Sequence, residues 1–126
     1  MIALVDDEKN VRLGIKTALK HEGFETCEFC NGKEAYDAVK GGLNAELFVM
    51  DIMMPVMDGY QALKAIRDIE VEKGIPTNKR VKIVMMTALN EERNVKKAFE
   101  MGCTVYCAKP VDVDRLKGVL QKLSLI

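Results

Sequence analysis

The chain has a single histidine, His21, and a single serine, Ser124, two residues from the last position. A Ser-His-Asp triad therefore has no plausible nucleophile, and a histidine-based zinc centre has too few ligands. Neither G-x-x-x-x-G-K nor G-x-G-x-x-G occurs, so there is no P-loop and no dinucleotide fingerprint. Charge of one sign is not in excess: nineteen Lys and Arg face nineteen Asp and Glu. That balance lacks the basic surplus of a dedicated nucleic-acid binder. No run approaches the roughly 18 apolar residues that span a bilayer. Met1 to Val5 meets Asp6, Asp7 and Glu8 at once, with no basic segment before it, unlike a signal peptide. The expectation is a cytoplasmic chain that binds neither membrane nor nucleic acid directly. Its chemistry is left mainly to carboxylates, lysines and threonines.

Four cysteines, Cys27, Cys30, Cys103 and Cys107, raise a zinc reading that their setting argues against. Cys27 and Cys30 are three apart in or beside a strand-like run, where their side chains point to opposite faces. Cys103 and Cys107 lie in a second strand-like segment with no Gly or Pro turn framing a zinc knuckle. Reduced thiols are expected.

What is present is an alternation. A chain of 126 residues suits one domain, here 1–126. Short apolar runs at Ile2–Val5, Leu47–Met50 and Val81–Met86 are too short for helices and read as buried strands. Phe24–Phe29 and Thr104–Ala108 complete a set of five. Between and after them the apolar residues take helical spacing, as in Val11, Ile15, Ala18 and Leu19, or Leu63, Ile66 and Ile69, or Leu116, Val119, Leu120 and Leu123. Asn31 with Glu34, Asp58 and Asp112 are placed to cap helices, and Asn90–Met101 is the remaining one. The gap between Glu70 and Arg80, loosest over 74–80, reads as a solvated loop without an assigned role. Strand and helix in strict alternation predict an α/β fold, a (βα)5 doubly wound parallel sheet with helices on both faces.

In such a sheet ligands bind beyond the carboxyl ends of the strands. The first strand ends in Asp6-Asp7, the third in Asp51, the fourth in Thr87 and the fifth in Lys109-Pro110. Taken singly, each is an ordinary cap, turn or surface residue. Together they place three carboxylates on one rim, where mutual repulsion calls for a cation. Hard oxygen ligands suit Mg²⁺. The methionines nearby, Met53, Met54, Met57, Met85 and Met86, are expected as core filler and not as a soft-metal site. His21 is expected to face solvent, away from this rim.

The motifs Val5-Asp6-Asp7-Glu8, Met50-Asp51-Ile52-Met53-Met54-Pro55-Val56-Met57-Asp58-Gly59, Met86-Thr87-Ala88 and Ala108-Lys109-Pro110 resemble the receiver domain of two-component response regulators. The resemblance runs from Ile2 into the final helix. It implies a flavodoxin-like sheet of strand order 2-1-3-4-5 and a phosphorylation switch instead of an enzyme. Asp51 would accept a phosphoryl group from a phosphohistidine. Asp6, Asp7, Asp51 and the backbone carbonyl of Met53 would hold Mg²⁺ or Mn²⁺, Asp6 through a water. Thr87 and Lys109 would contact the phosphoryl group, and Thr87 and Tyr106 would form the switch. The bond between Lys109 and Pro110 would be cis. The implied partners are a sensor histidine kinase or phosphotransfer protein, an output protein, and a second receiver copy in a phosphorylation-dependent dimer. The output surface would be the face of the fourth helix, fifth strand and fifth helix. Met53 and Leu89 are both apolar, unable to orient an attacking water, and so predict slow self-dephosphorylation.

Three other readings are open to test. The chain could be a receiver cut from a longer transcriptional regulator. An aspartate-nucleophile phosphatase of the haloacid dehalogenase type would need a second acid two residues after Asp51, where Met53 stands. A flavodoxin-like mononucleotide binder would need a phosphate-cradling loop after the first strand, where Asp6 and Asp7 would repel phosphate.

Overall fold

The computed structural model describes residues 1–87, 92–109 and 111–126, with the backbone alone for 92–94. Ala88, Leu89, the expected helix start at Asn90 and the Pro110 peptide bond lie outside the described residues.

The apolar runs form β1 (Ile2–Val5), β2 (Thr26–Phe29), β3 (Leu47–Asp51), β4 (Lys82–Thr87) and β5 (Val105–Ala108). The helices are α1 (Lys9–His21), α2 (Gly32–Lys40), α3 (Gly59–Glu72), α4 (Glu92–Glu100) and α5 (Val113–Lys122). Every strand pairing is parallel, in the order β2-β1-β3-β4-β5. This is the expected doubly wound, flavodoxin-like sheet.

Successive strand residues point to opposite faces, and both faces are apolar. Ile2, Leu4, Leu47, Val49, Val84 and Met86 pack against Ile15 and Leu19 of α1 and Leu116 and Leu120 of α5. Ala3, Val5, Phe48, Met50, Ile83 and Met85 pack against Ala35 of α2, Leu63 and Ile66 of α3, and Ala98 of α4. Burial of each large side chain contributes roughly 1.5–3 kcal/mol. Full coverage on both faces is why β1 and β3 are buried at every residue, whereas β2, at the edge, is only half-buried.

Caps fix where the helices begin. Asn31, Asp58 and Asp112 each accept the backbone N–H three residues on, satisfying donors that the first turn leaves unpaired. Asp58 and Gln61 complete a reciprocal capping box. At α2 the expected box is altered, because the Glu34 carboxylate accepts from the N–H of Cys30, one residue before the cap. Helix α1 has no side-chain cap, so Asp7 is not used as one. Several boundaries also differ from expectation by a residue or two. β2 begins at Thr26, with Phe24 instead packing partly into the core. The loop expected from Glu70 starts later, because α3 runs to Glu72 with Glu70 buried, and the stretch after Gly74 contains one 3-10 turn, Thr77–Lys79. Among the described residues no helix is long and apolar enough to cross a membrane.

Candidate functional site

Parallel register brings the strand ends to one edge of the sheet. Val5 lies beside Met50, Asp51 beside Met86, and Thr87 beside Ala108. The next residues therefore converge. The Lys109 Nζ lies 2.8 Å from Asp6 Oδ2, 3.2 Å from Asp51 Oδ2 and 3.9 Å from Glu8 Oε1. The backbone N–H of Lys109 donates to the Thr87 carbonyl at 2.8 Å, which anchors the base of its side chain. Asp6 is 1% exposed and Asp51 4%.

The backbone under Asp51 is tightly held. The Ile52 N–H donates to the Met86 carbonyl at 3.0 Å, and the Gly59 N–H donates to the Ile52 carbonyl at 2.8 Å. A Cβ at position 59 would collide with the backbone of Asp51 and Ile52, so glycine lets the start of α3 close beneath the aspartate. In the connecting loop Val56 has φ +69°, a conformation that a β-branched residue adopts only under strain. At β1, Asp6 Oδ1 accepts the Glu8 N–H at 2.9 Å. The Arg12 guanidinium donates to the Asp6 carbonyl and pairs with Glu28 at 3.2 Å, tying α1 to the ends of β1 and β2.

Burial, and then the neighbouring Asp6 charge, push the Asp51 carboxyl above its ordinary value; Lys109 and the Met53 N–H oppose them. Burial pulls the Lys109 ammonium down, but Asp6 and Asp51 outweigh it and the net shift is upward. Lys109 therefore stays charged near neutrality.

The carboxylates of Asp6, Asp7 and Glu8 offer oxygens that lie within 4.8 Å of one another. Asp6 is buried and the other two are exposed; Asp51 is not a member of this group. Both Asp6 oxygens are already hydrogen-bonded, to the Glu8 N–H and to Lys109. Four carboxylates against one ammonium form a hard-oxygen, electron-rich site that fits Mg²⁺, an ion that keeps several of its waters.

Of the residues expected here, Asp6, Asp51 and Lys109 are in direct contact, and Asp7 adjoins them. Thr87, 1% exposed, ends β4. Tyr106, 9% exposed, stands beside Met85 and packs with Ala98 of α4. Met85 and Met86 are core residues as expected, but Met53 is 64% exposed and fills nothing. His21 is exposed at the far end of α1. All four cysteines are free thiols. Two contributors were not anticipated as site residues. Glu8 could have been, since it adjoins the acidic pair, but no sequence signal links Arg12 to Asp6.

The fold and this rim are those of a receiver-type regulatory domain. The family model for the response regulator receiver domain matches residues 2–121, and the chain belongs to that family of two-component signalling proteins. It is 36% identical over 121 residues to the regulatory protein AtoC of Escherichia coli, a match covering 96% of this chain and 24% of AtoC. It is 35% identical over 125 residues to the transcriptional regulatory protein SrrA of Staphylococcus aureus, covering 96% of this chain and 48% of SrrA. The chain thus spans about a quarter and about half of these two relatives. Among solved structures it is similar to the receiver domain of the response regulator Ssk1 of Saccharomyces cerevisiae, determined with the histidine phosphotransfer protein Ypd1. That match has a TM-score of 0.85 and 31% identity, over 95% of this chain and 89% of the other.

Proposed function

We propose that the chain, as one receiver domain over residues 1–126, is a switch activated by phosphorylation of Asp51. The carrying observation is the buried Asp51 carboxylate in contact with Lys109, which Asp6 shares. In the proposed step an Asp51 carboxylate oxygen attacks the phosphorus of a phosphohistidine in line. The O–P bond of an acyl phosphate forms, the N–P bond breaks, and imidazole leaves. A carboxylate alone is repelled by a phosphoryl dianion, so the site must neutralise charge that spreads over the transferring group. Lys109 supplies one positive charge at fixed position. Asp6, Asp7, Asp51 and the Met53 carbonyl would hold Mg²⁺ or Mn²⁺, with Glu8 adjacent; the ion when bound supplies Lewis-acid neutralisation of phosphoryl oxygens.

Thr87 would hydrogen-bond the new phosphoryl group. Because Tyr106 is already buried, the proposed switch changes its contacts with Thr87 and α4 rather than its overall exposure. The face of α4, β5 and α5 would then bind an output protein or a second receiver differently in the two states. A sensor histidine kinase or phosphotransfer protein is the proposed donor, a reading supported by the pairing of the similar Ssk1 receiver with Ypd1.

A second reading, a receiver belonging to a longer transcriptional regulator, is favoured by the fraction of AtoC and SrrA that the chain covers. The length of the native reading frame separates the two. The chemistry is tested with Mg²⁺ and acetyl phosphate. Intact-mass analysis should show one added phosphoryl group, absent from Asp51→Asn; equal labelling of that variant would refute the assignment.

A further inference from the structure

The stretch 74–80 has no part in the chemistry above, and it borders a cavity that the chemistry does not use. At the amino ends of β3 and β4 lies an open cavity of about 440 Å³, between α2, α3 and the residues that follow α3. Lys82 begins β4 and Thr87 ends it, so this cavity and the aspartate rim are roughly 16 Å apart along the strand. The two are separate sites.

Its floor is apolar: Val39, Leu43, Ile75 and Val81 are partly exposed in it, over the buried Phe48, Ile66 and Ile69 of β3 and α3. Its border is basic: Lys73, Lys79 and Arg80 line it together with Lys82. Gly74, at φ +71°, turns the chain after α3, and the 3-10 turn carries Lys79 back across the opening. The carboxylates at the cavity are engaged elsewhere. Glu70 is paired with Arg67 and accepts the Val81 N–H at 2.7 Å. Glu46 lies 3.6 Å from the N-terminal ammonium. Lys82 donates to the Leu123 carbonyl and Arg80 to the Ile75 carbonyl, contacts that hold them without neutralising them. Among the described residues Lys73, Lys79 and Arg80 have no carboxylate in ion-pair range.

We infer that this cavity binds a small organic anion, an apolar body seated on Val39, Leu43, Ile75 and Val81 with its carboxylate, phosphate or sulfonate facing Lys73, Lys79 and Arg80. The volume is that of a small-molecule site, and the lining has the usual form of an apolar surface with a few convergent charges. Clustered cations without counter-charges repel, and an anion relieves that repulsion. The inference does not depend on Asp51 chemistry, because binding is read in the unphosphorylated chain without Mg²⁺.

The test is a titration of the ¹⁵N-labelled protein with 4-phenylbutyrate, alongside neutral 4-phenyl-1-butanol and inorganic phosphate. 4-Phenylbutyrate should give saturable amide shifts at Val39, Ile75 and Val81, with Asp6 and Asp51 unmoved. The exposed double variant Lys73→Gln/Lys79→Gln should keep a native spectrum and bind about tenfold more weakly. The alcohol and phosphate should each bind far less well than the acid. Absence of saturable shifts up to the solubility limit, equal binding of the alcohol or of phosphate, or unchanged affinity in the double variant would each overturn the inference.

Discussion

Replacement of Lys109 by methionine keeps most of the side-chain volume and removes, among the described residues, the one ammonium that touches the aspartates. Its nitrogen is 2.8 Å from Asp6 and 3.2 Å from Asp51, and the side chain is 15% exposed. At the effective dielectric of a partly exposed protein site, each such contact carries about 4 kcal/mol of attraction. Burying the lysine itself offsets much of this, and loss of one partner from a buried pair costs about 3–5 kcal/mol net. The residual exposure favours the lower end, about 3 kcal/mol. With a urea m-value of about 1.5–2 kcal/mol/M, the midpoint in EDTA should fall by about 1.5–2 M. Two further features separate electrostatics from lost packing. Mg²⁺ at a hundredfold its Kd should return about 2.7 kcal/mol, at least as much as it gives the wild type. Asp51 has a folded pKa above 3.8, so its ionisation costs stability as pH rises through that range. The variant's deficit should therefore narrow as the pH falls toward 4. Equal midpoints for variant and wild type in EDTA would refute the view that Lys109 neutralises this rim. A deficit insensitive to both Mg²⁺ and acid would assign the loss to packing.

Val56 is 80% exposed at φ +69°, so Val56→Asn gives up little burial and relieves the strain. A gain of about 1 kcal/mol, seen as a higher Tm, is expected, and a lower Tm would mean that the valine is not strained. Burial pushes the Cys103 thiol up to about 11, whereas Cys30 is exposed. At pH 8 iodoacetamide should label Cys30 and leave Cys103 unmodified until the chain unfolds. Unfolding releases a normal thiol from that high value, so the Cys103 contribution to stability is complete below pH 9 and is lost as pH rises from 9 toward about 11. Labelling of Cys103 in the native state at the rate of Cys30 would contradict this.

Much of this molecule could be read directly along the chain. Strand and helix periods, the caps at Asn31, Asp58 and Asp112, and polar residues at successive strand ends are local signals. In a parallel α/β sheet those signals suffice to bring Asp6, Asp51, Thr87 and Lys109 to one edge. Spacing settles periodicity and handedness settles the crossovers, so the doubly wound sheet and the rim were accessible, whereas the full sheet order came from the resemblance to receiver domains. Contacts between residues distant in sequence and lacking a motif were not. Arg67 and Glu70 lie three apart on α3, yet Glu70 is 5% exposed and accepts the Val81 N–H while Arg67 donates to the Gly102 carbonyl. Together they join α3 to the start of β4 and the turn before β5. The exposure of Met53, the strain at Val56 and the committed oxygens of Asp6 likewise arise from how the β3–α3 loop and α1 close over the sheet. So does the cavity beneath the 74–80 crossover, whose basic residues read in sequence only as a polar loop. The sequence carried the elements and the acids, since these follow from local chemistry repeated at a fixed period. Which charges are shared, left over or turned inward was decided only when the layers packed, because it depends on distances no linear spacing encodes.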